Sequence, residues 1–415
     1  MKQNDKMNAA SSRNGLQNGT QDNSPPDELG GDFVRQGHIS GRQFMFMLAF
    51  LMGTKVLYMF PTVMVTKSGS SAWISIAVAA VLGLAGLWGW ILWANLTGAE
   101  GVVASLRKTC GRLLGDAIAL AGLAILIAAT GWTARLFAGG AVVGILPEFP
   151  IEAVIWTSLI AGLYGAWLGI EAVGRAAGFF FWPTVVSFAG VIASMWGEFE
   201  PQYLTPIWGL GVGNTILQGV LSAGTFGGIV AVGVMKPYVR DHRELGSRSA
   251  FGLLIAAAVL VIGLLFVAGV FPYPMSTDKA DPLGVMARAV YLGRFIQRIE
   301  ALFIFVWLFS TSVQLSFLFA IILALVSELS GTGTYRPFAP GMAVLTFAIA
   351  ALPPSMLRAG QLMDRYFTTT AGSALVYLGW VLYAIARARG MKPSTVPKDG
   401  EVPHGVPSAK QKSRN

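Results

Sequence analysis

The segment Ile74–Ala94 reads ISIAVAAVLGLAGLWGWILWA, an unbroken apolar run without a single charged side chain. An α-helix rises about 1.5 Å per residue, so this run is long enough to cross a hydrocarbon core roughly 30 Å thick. Similar runs recur along the 415 residues, of which 54% are hydrophobic and only 12% charged. Soluble domains carry about 25% charged residues. The sequence therefore predicts an all-α polytopic membrane protein.

The apolar runs predict about ten transmembrane helices within one membrane domain, residues 39–388. The predicted spans are 44–66, 72–94, 117–140, 151–170, 177–196, 214–235, 249–270, 300–326, 338–354 and 368–386. The flanking segments 1–38 and 389–415 are polar, and the second is also basic. Both are predicted to be disordered, because such composition cannot bury enough apolar surface to order the chain.

The basic residues predict the orientation in the membrane. If the N-terminus is cytoplasmic, 21 of the 30 Lys and Arg residues lie in cytoplasmic segments and 7 in external ones, while Lys55 and Arg135 fall within spans. Cytoplasmic loops carry an excess of Lys and Arg, so both termini are predicted to be cytoplasmic. This topology also accounts for the net charge of +9 without a nucleic-acid partner.

Ten spans without a soluble domain predict a transporter-like fold of two five-helix repeats. Because five is odd, the repeats have inverted topology, as in LeuT-like folds. In such folds the first helix of each repeat is broken at mid-membrane, and the freed backbone groups bind ligand. Span one offers an interruption at Gly53-Thr54-Lys55 followed by Pro61, and span six offers one at Gly224–Gly228, where three glycines lie within five residues. The alternative is that these small residues only allow close helix packing.

The predicted ligand-binding residues follow from these two interruptions. They are Gly53, Thr54, Lys55, Gly224, Thr225, Phe226, Gly227 and Gly228, with Trp132 on span three and Trp307 and Thr311 on span eight as neighbours. Lys55 is the most informative, because a charge near the middle of a span costs at least about 2.5–3.5 kcal/mol. It could pair with an anionic ligand or a buried carboxylate, or it could lose its proton and be tolerated.

Several function classes find no support in the residues. The chain has three His and one Cys, so no metal-ligand cluster is expected. It has neither a phosphate-binding P-loop nor a G-x-S-x-G elbow, so neither an ATP-driven pump nor an enzyme is expected. No cofactor is predicted.

Seven short motifs in chain order carry a family resemblance. They are Ile39-Ser40-Gly41-Arg42-Gln43, Ala72-Trp73-Ile74-Ser75, Leu146-Pro147, Gly169-Ile170-Glu171-Ala172-Val173-Gly174-Arg175 with Pro183, Leu204-Thr205-Pro206-Ile207, Lys236-Pro237-Tyr238-Val239 and Phe295-Ile296-Gln297-Arg298-Ile299-Glu300. With them the chain resembles the B subunits of bacterial spore germinant receptors, the endospore germination permeases of the amino acid–polyamine–cation transporter superfamily. The resemblance runs from about residue 39 to 386.

The resemblance implies a receptor subunit in the spore inner membrane that binds a small-molecule germinant, commonly an amino acid, and triggers germination. It also implies partnership with an A subunit and a lipoprotein C subunit. The alternative is ion-coupled secondary transport of amino acids, because the same fold serves both functions. The sequence does not name the germinant.

Two positions depart from the family pattern, and four charged residues are predicted to be structural. Ser71 stands where the family often has Asp, and Gly228 where it often has Glu. The missing carboxylate makes a pocket that contains Lys55 more positive. The predicted structural residues are Glu171 and Arg175, an i,i+4 ion pair at the end of span four, and Arg298 and Glu300, anchors for span eight.

Overall fold

The computed structural model describes residues 38–98, 101–144, 146–240, 242–275, 281–289 and 299–392. Within these residues the regular secondary structure is entirely helical. Seven of the described helices are long and apolar enough to cross a membrane, and two shorter apolar helices, Ile151–Trp167 and Arg336–Ala351, accompany them. The prediction of an all-α polytopic membrane protein is confirmed. Most of the two predicted flanking segments, together with Arg298, lies outside the described residues.

The helices are numbered in chain order. They are α1 Gly41–Gly53, α2 Phe60–Ser68, α3 Ala72–Thr97, α4 Val102–Cys110, α5 Arg112–Gly144, α6 Ile151–Trp167, α7 Ile170–Ser194, α8 Val212–Leu221, α9 Val230–Met235, α10 Leu245–Val270, α11 Pro282–Ala289, α12 Ile299–Ser330, α13 Ala339–Ala351, α14 Met356–Leu362 and α15 Gly372–Ala388. Spans two, three, four, five, seven, eight and nine correspond to α3, α5, α6, α7, α10, α12 and α13. Spans one, six and ten each contain two helices and an irregular segment between them, and span ten begins at Met356, earlier than the predicted residue 368.

Two of the family motifs meet where span one begins. The Ser40 Oγ accepts a hydrogen bond from the Gln43 backbone N–H (3.2 Å), and the Gln43 side chain accepts one from the Ser40 N–H (2.9 Å). This capping box satisfies donors that a helix N-terminus otherwise leaves free. The preceding residue, Ile39, forms an isolated bridge with Val239 of the motif that follows span six. The motifs therefore join the start of span one to the end of span six.

The boundary between spans four and five differs from the prediction. Gly169 has a φ of 97°, a left-handed conformation that favours glycine, and it separates α6 from α7. Glu171 and Arg175 therefore belong to the first turns of span five, and placing them at the end of span four was wrong. Their ion pair is present, with 2.5 Å between Arg175 Nη2 and Glu171 Oε1. The pair is partly exposed, and such pairs contribute about 0.2–0.5 kcal/mol. The side chain of Glu300 lies outside the described residues.

Glycines bring spans two and ten into backbone contact. An added Cβ at Gly86 would lie 2.7 Å from the carbonyl oxygen of Val376, and one at Gly89 would lie 2.8 Å from the backbone nitrogen of Trp380. The buried Trp90 indole donates a hydrogen bond to the Leu375 carbonyl (2.9 Å). Small residues allow such close approach between membrane helices. This packing holds span ten beside the interrupted part of span six.

Candidate functional site

Three irregular segments surround the candidate site. Span one changes to a 3₁₀ helix at Thr54–Leu57, span six does so at Ala223–Ile229, and span ten contains a π-helix at Met363–Ala371. The two interruptions that the glycines predicted are therefore present. The π-helix was not predicted, and such segments are rare and frequent at functional sites. A Cβ at Gly224 would lie 2.2 Å from the Thr368 carbonyl oxygen, so spans six and ten touch here.

Local sequence explains where span one is interrupted. Tyr58 has an extended backbone, with φ −112° and ψ −157°, and Pro61 occupies the first turn of α2. Proline has no backbone N–H to donate back into the preceding turn, so it fits the start of a new helix. The Leu51 carbonyl, before the interruption, accepts a hydrogen bond from the Gln314 side chain (3.2 Å). Span eight thus satisfies a carbonyl group beside the break.

Lys55 lies between the three irregular segments. Its side chain is 7% exposed, and its ammonium donates a hydrogen bond to the Thr225 carbonyl oxygen of span six (2.6 Å). The same ammonium lies 5.0 Å from the centre of the Phe367 ring in the π-helix. An ammonium has three N–H donors, and a nearby aromatic face attracts it by about 2 kcal/mol when the contact is buried. Within the described residues Lys55 forms no ion pair.

Two small cavities adjoin Lys55. One, of about 30 Å³, lies among spans one, three and ten, and the other, of about 20 Å³, adds spans six and eight. Gly227, Gly228 and Gln314 line the second cavity. A cavity of about 10–15 Å³ holds one water molecule, so neither admits an amino acid in this conformation. Ligand binding at Lys55 would require the surrounding helices to separate.

A larger cavity of about 590 Å³ lies beyond Lys55, between the end of span one and the start of span ten. It shares Met59, Val63 and Asp364 with the cavity of about 30 Å³ beside Lys55. Lys67 and Asp364 form an ion pair in it, with 2.5 Å between Nζ and Oδ2 and side-chain exposures of 25% and 15%. We call this cavity the Lys67 vestibule. Its ion pair joins the parts of spans one and ten that would have to separate.

A buried polar network continues from Lys55 toward span eight. The Tyr58 hydroxyl lies 2.9 Å from the Thr311 hydroxyl and donates a hydrogen bond to the Gln314 side-chain oxygen (3.1 Å). The Thr311 hydroxyl donates in turn to the Trp307 carbonyl (2.7 Å). Buried polar groups are costly unless hydrogen-bonded, so this network fixes the position of the interrupted span one against span eight.

The predicted site residues separate into two groups. Lys55, Gly227 and Gly228 line the cavities beside Lys55, Thr225 supplies the carbonyl acceptor, and Thr311 belongs to the Tyr58 network. The remaining predicted residues do not line these cavities, and most of them pack against neighbouring helices. Phe226 packs on Gly83 of span two, Gly224 packs on span ten, Trp307 packs on Phe137 and Gly140 of span three, and Trp132 lies beside Tyr366.

Gly53 and Thr54 face away from Lys55. They line a separate apolar cavity of about 80 Å³, among spans one, five, seven and eight. The Thr54 hydroxyl donates a hydrogen bond to the Phe50 carbonyl of its own helix (2.7 Å). Thr54 and Lys55, although consecutive, therefore face different sides of span one. Helical periodicity could not predict this, because the α-helix is interrupted at these residues.

Sequence reasoning missed several residues around Lys55, namely Tyr58, Thr133, Gln314, Met363, Asp364, Phe367 and Thr368. A signal existed for Gln314, because an amide within a long apolar span is costly unless it has a partner. The run of three threonines at 368–370 was a weaker signal, since β-branched residues fit a helix less well. Asp364 gave none, because it was taken to precede span ten.

Comparisons with known proteins identify the family. A family model described as spore germination protein matches residues 38–353, well over half of the chain. The chain belongs to this spore permease family. It is also similar to spore germination protein A2 of Bacillus subtilis (strain 168), with 21% identity over 204 residues. That match covers 49% of this chain and 56% of the relative, so it spans little more than half of the relative's length.

The two departures from the family pattern occupy different places in the structure. Ser71, between spans one and two, lies 2.8 Å from the Thr215 hydroxyl of span six and donates a hydrogen bond to the Ser68 carbonyl. It therefore belongs to a hydroxyl cluster remote from the Lys55 cavities. Gly228 lines the same cavity as Lys55. The expected carboxylate is thus missing next to the buried ammonium.

Proposed function

We propose that this protein is the membrane subunit of a spore germinant receptor, and that it binds the anionic group of a small-molecule germinant at Lys55. The observation that carries the proposal is the position of the Lys55 ammonium. It is buried where three irregular segments meet, with a backbone carbonyl and an aromatic ring as its neighbours. Family membership supplies the physiological context of spore germination.

The chemistry of Lys55 favours an anionic ligand group. The hydrogen bond to the Thr225 carbonyl uses one of three N–H donors, so two remain to bind ligand oxygens. Hydrogen bonds between ionised partners are about twice as strong as neutral ones. A carboxylate, as in an amino acid, would also neutralise a charge that is expensive within a membrane span. Gly228 leaves the space beside the Lys55 ammonium open to a ligand, since glycine carries no competing carboxylate.

Binding at Lys55 would couple to a change of shape. The present cavities are too small for an amino acid, so the germinant enters only if the Lys67 vestibule opens toward Lys55. Opening would separate Lys67 from Asp364 and move the π-helix of span ten. A ligand shifts such an equilibrium by its preference for the open form. We propose that an A subunit and a lipoprotein C subunit, in the spore inner membrane, detect this change.

Secondary transport of amino acids is the second candidate function. The observation that favours it is a pair of large cavities toward opposite ends of the broken span one. The Lys67 vestibule adjoins α2, and another cavity, of about 650 Å³, adjoins the start of α1. A transporter would open these cavities in alternation around the site at Lys55.

A binding panel tests the proposed ligand class. Purified full-length protein in lipid nanodiscs would be titrated calorimetrically with amino acids, the corresponding amines without a carboxylate, a sugar and a nucleoside. We expect saturable binding of at least one amino acid and none of its decarboxylated amine. Equal binding of the two would refute the role assigned to Lys55.

Three further measurements test the receptor against the transporter. Co-expression with candidate A and C subunits, followed by affinity purification, tests assembly, and fractionation of spores tests the inner-membrane location. Uptake of a labelled bound ligand into proteoliposomes tests transport. Receptor function predicts stable co-purification without concentrative uptake. Uptake driven by a proton or sodium gradient would instead support the transporter.

A further inference from the structure

A cavity remote from Lys55 lies where spans one, five and seven begin. Helices α1, α7 and α10 start together there. A Cβ at Gly174 would lie 3.0 Å from the Ile39 side chain, and one at Gly41 would lie 3.0 Å from the Arg248 side chain. The cavity measures about 650 Å³. It is lined by Arg42, Gln43, Met45, Phe46, Arg175, Gly178, Phe181, Trp182 and Ile255. We call it the Arg42 groove.

The Arg42 groove combines an apolar wall with a basic mouth. Phe46 and Phe181 stack on each other, with ring centres 4.1 Å apart, and they close its inner end. Gly178 leaves its middle open, because a Cβ there would meet no atom within 4 Å. Arg42, in the first turn of α1, and Arg175, in the second turn of α7, provide the charges at the mouth.

At the mouth, the acids beside it balance Arg175 but not Arg42. Glu171 pairs with Arg175 (2.5 Å) and Glu244 pairs with Arg248 (2.7 Å), each along its own helix. Arg42 is exposed and has neither a hydrogen-bond nor an ion-pair partner within the described residues. Its guanidinium therefore keeps all five donors for an outside partner. Guanidinium groups bind phosphate oxygens in bidentate geometry.

We propose that the Arg42 groove is a binding site for an anionic phospholipid. The phosphate lies at Arg42 and Arg175, and one acyl chain follows the apolar wall past Gly178 toward Phe181. Basic pockets between membrane helices attract anionic headgroups, and an intramembrane groove is exposed to acyl chains. The combination of both features favours a whole lipid over a free phosphate. The lipid would rest against α1, the first half of the interrupted span one, and so would affect its packing on spans five and seven.

Thermal unfolding in neutral detergent tests the lipid site. The full-length protein would be titrated with phosphatidylglycerol, with phosphatidylcholine of the same chains, and with glycerol phosphate. We expect phosphatidylglycerol to raise Tm at about fivefold lower concentration than phosphatidylcholine, because one basic residue near a membrane surface contributes about that factor. Glycerol phosphate should have little effect, since it has no chain to occupy the groove.

Three variants assign the effect to the groove. Arg42→Gln should lose the preference for phosphatidylglycerol, whereas Arg112→Gln, an exposed arginine at the start of α5 and outside the groove, should keep it. Gly178→Leu should block the acyl chain while retaining a folded protein, because leucine suits a helix better than glycine and the site has room.

Three outcomes would overturn the proposal. They are equal effects of the two lipids on the unaltered protein, equal losses of the preference in Arg42→Gln and Arg112→Gln, and a full effect of glycerol phosphate alone. The last would indicate a free-phosphate site without lipid. A lipid preference that survives in Gly178→Leu would contradict the placement of the acyl chain.

Discussion

Replacing Lys55 with methionine tests the centre of the proposed site. Methionine replaces most of the lysine's unbranched chain but removes the ammonium and its hydrogen bond to the Thr225 carbonyl. If that ammonium binds a ligand carboxylate, its loss removes a hydrogen bond to a charged group worth about 1.5–3 kcal/mol. Since 1.4 kcal/mol corresponds to a factor of ten, the germination dose–response should move to about 10–100-fold higher ligand concentration.

The stability of Lys55→Met should change little, because two effects oppose each other. The Thr225 carbonyl loses its buried donor, which costs about 1–3 kcal/mol. The membrane span no longer holds a charge, which relieves at least about 2.5–3.5 kcal/mol if the lysine is protonated. We therefore expect normal abundance and normal assembly with partner subunits. Lys55→Arg should keep the charge but misplace it, and should give a partial loss of response.

Lys236 provides a matched control. Lys236 follows the last helix of span six and is also 7% exposed. Its ammonium donates a hydrogen bond to the Ala94 carbonyl of span two. Lys236→Met should therefore remove a comparable buried hydrogen bond but leave the dose–response unchanged. The assay is germination against ligand concentration at matched membrane abundance. An unchanged response in Lys55→Met, or an equal shift in Lys236→Met, would show that Lys55 is only a tolerated charge.

Three further predictions concern the pocket, its access route and the topology. Gly228→Glu should lower apparent ligand affinity more than Gly228→Gln, because only the carboxylate competes for Lys55 at equal side-chain size; equal losses would indicate crowding alone. Asp364→Asn should speed ligand association up to about fivefold in stopped-flow binding, since partly exposed ion pairs contribute at most about 1 kcal/mol, and an unchanged rate would exclude this ion pair as a barrier. Cysteines introduced near Arg243 should react only from the cytosol and those near Asp281 only from outside, and the reverse would refute the orientation. The native Cys110 should add little background, because it is buried and burial raises the pKa of its thiol.

Local sequence was sufficient to predict that the protein spans a membrane and that spans one and six are interrupted. Apolar runs such as Ile74–Ala94 leave no alternative to a bilayer, because a soluble fold cannot bury them. Gly53 and Pro61 in span one, and the three glycines within Gly224–Gly228 in span six, weaken a continuous helix, so the breaks follow from intrinsic backbone preference. Lys55 was recognisable as a candidate site residue, since a charge near the middle of a membrane span is costly and therefore rarely lacks a role.

Which side chains meet at Lys55 was decided by tertiary structure alone. The interruption turns Thr54 and Lys55 toward opposite faces of span one, and Phe226 toward span two. Neither direction follows from helical periodicity, because periodicity ends where the helix does. The site at Lys55 was first predicted from two inverted five-helix repeats, and that repeat symmetry stays a prediction.

The partners of Lys55 come from distant parts of the chain. Phe367 and the π-helix of span ten are more than 300 residues away, and they reach Lys55 through the close packing of span two on span ten. Gln314 bonds the Leu51 carbonyl across 263 positions. Such contacts depend on how whole helices pack, and many packings satisfy the same apolar pattern. The sequence by itself therefore determined a membrane protein with two interrupted spans and a charge, Lys55, at one of the interruptions. Only the packed structure determined the surroundings of that charge.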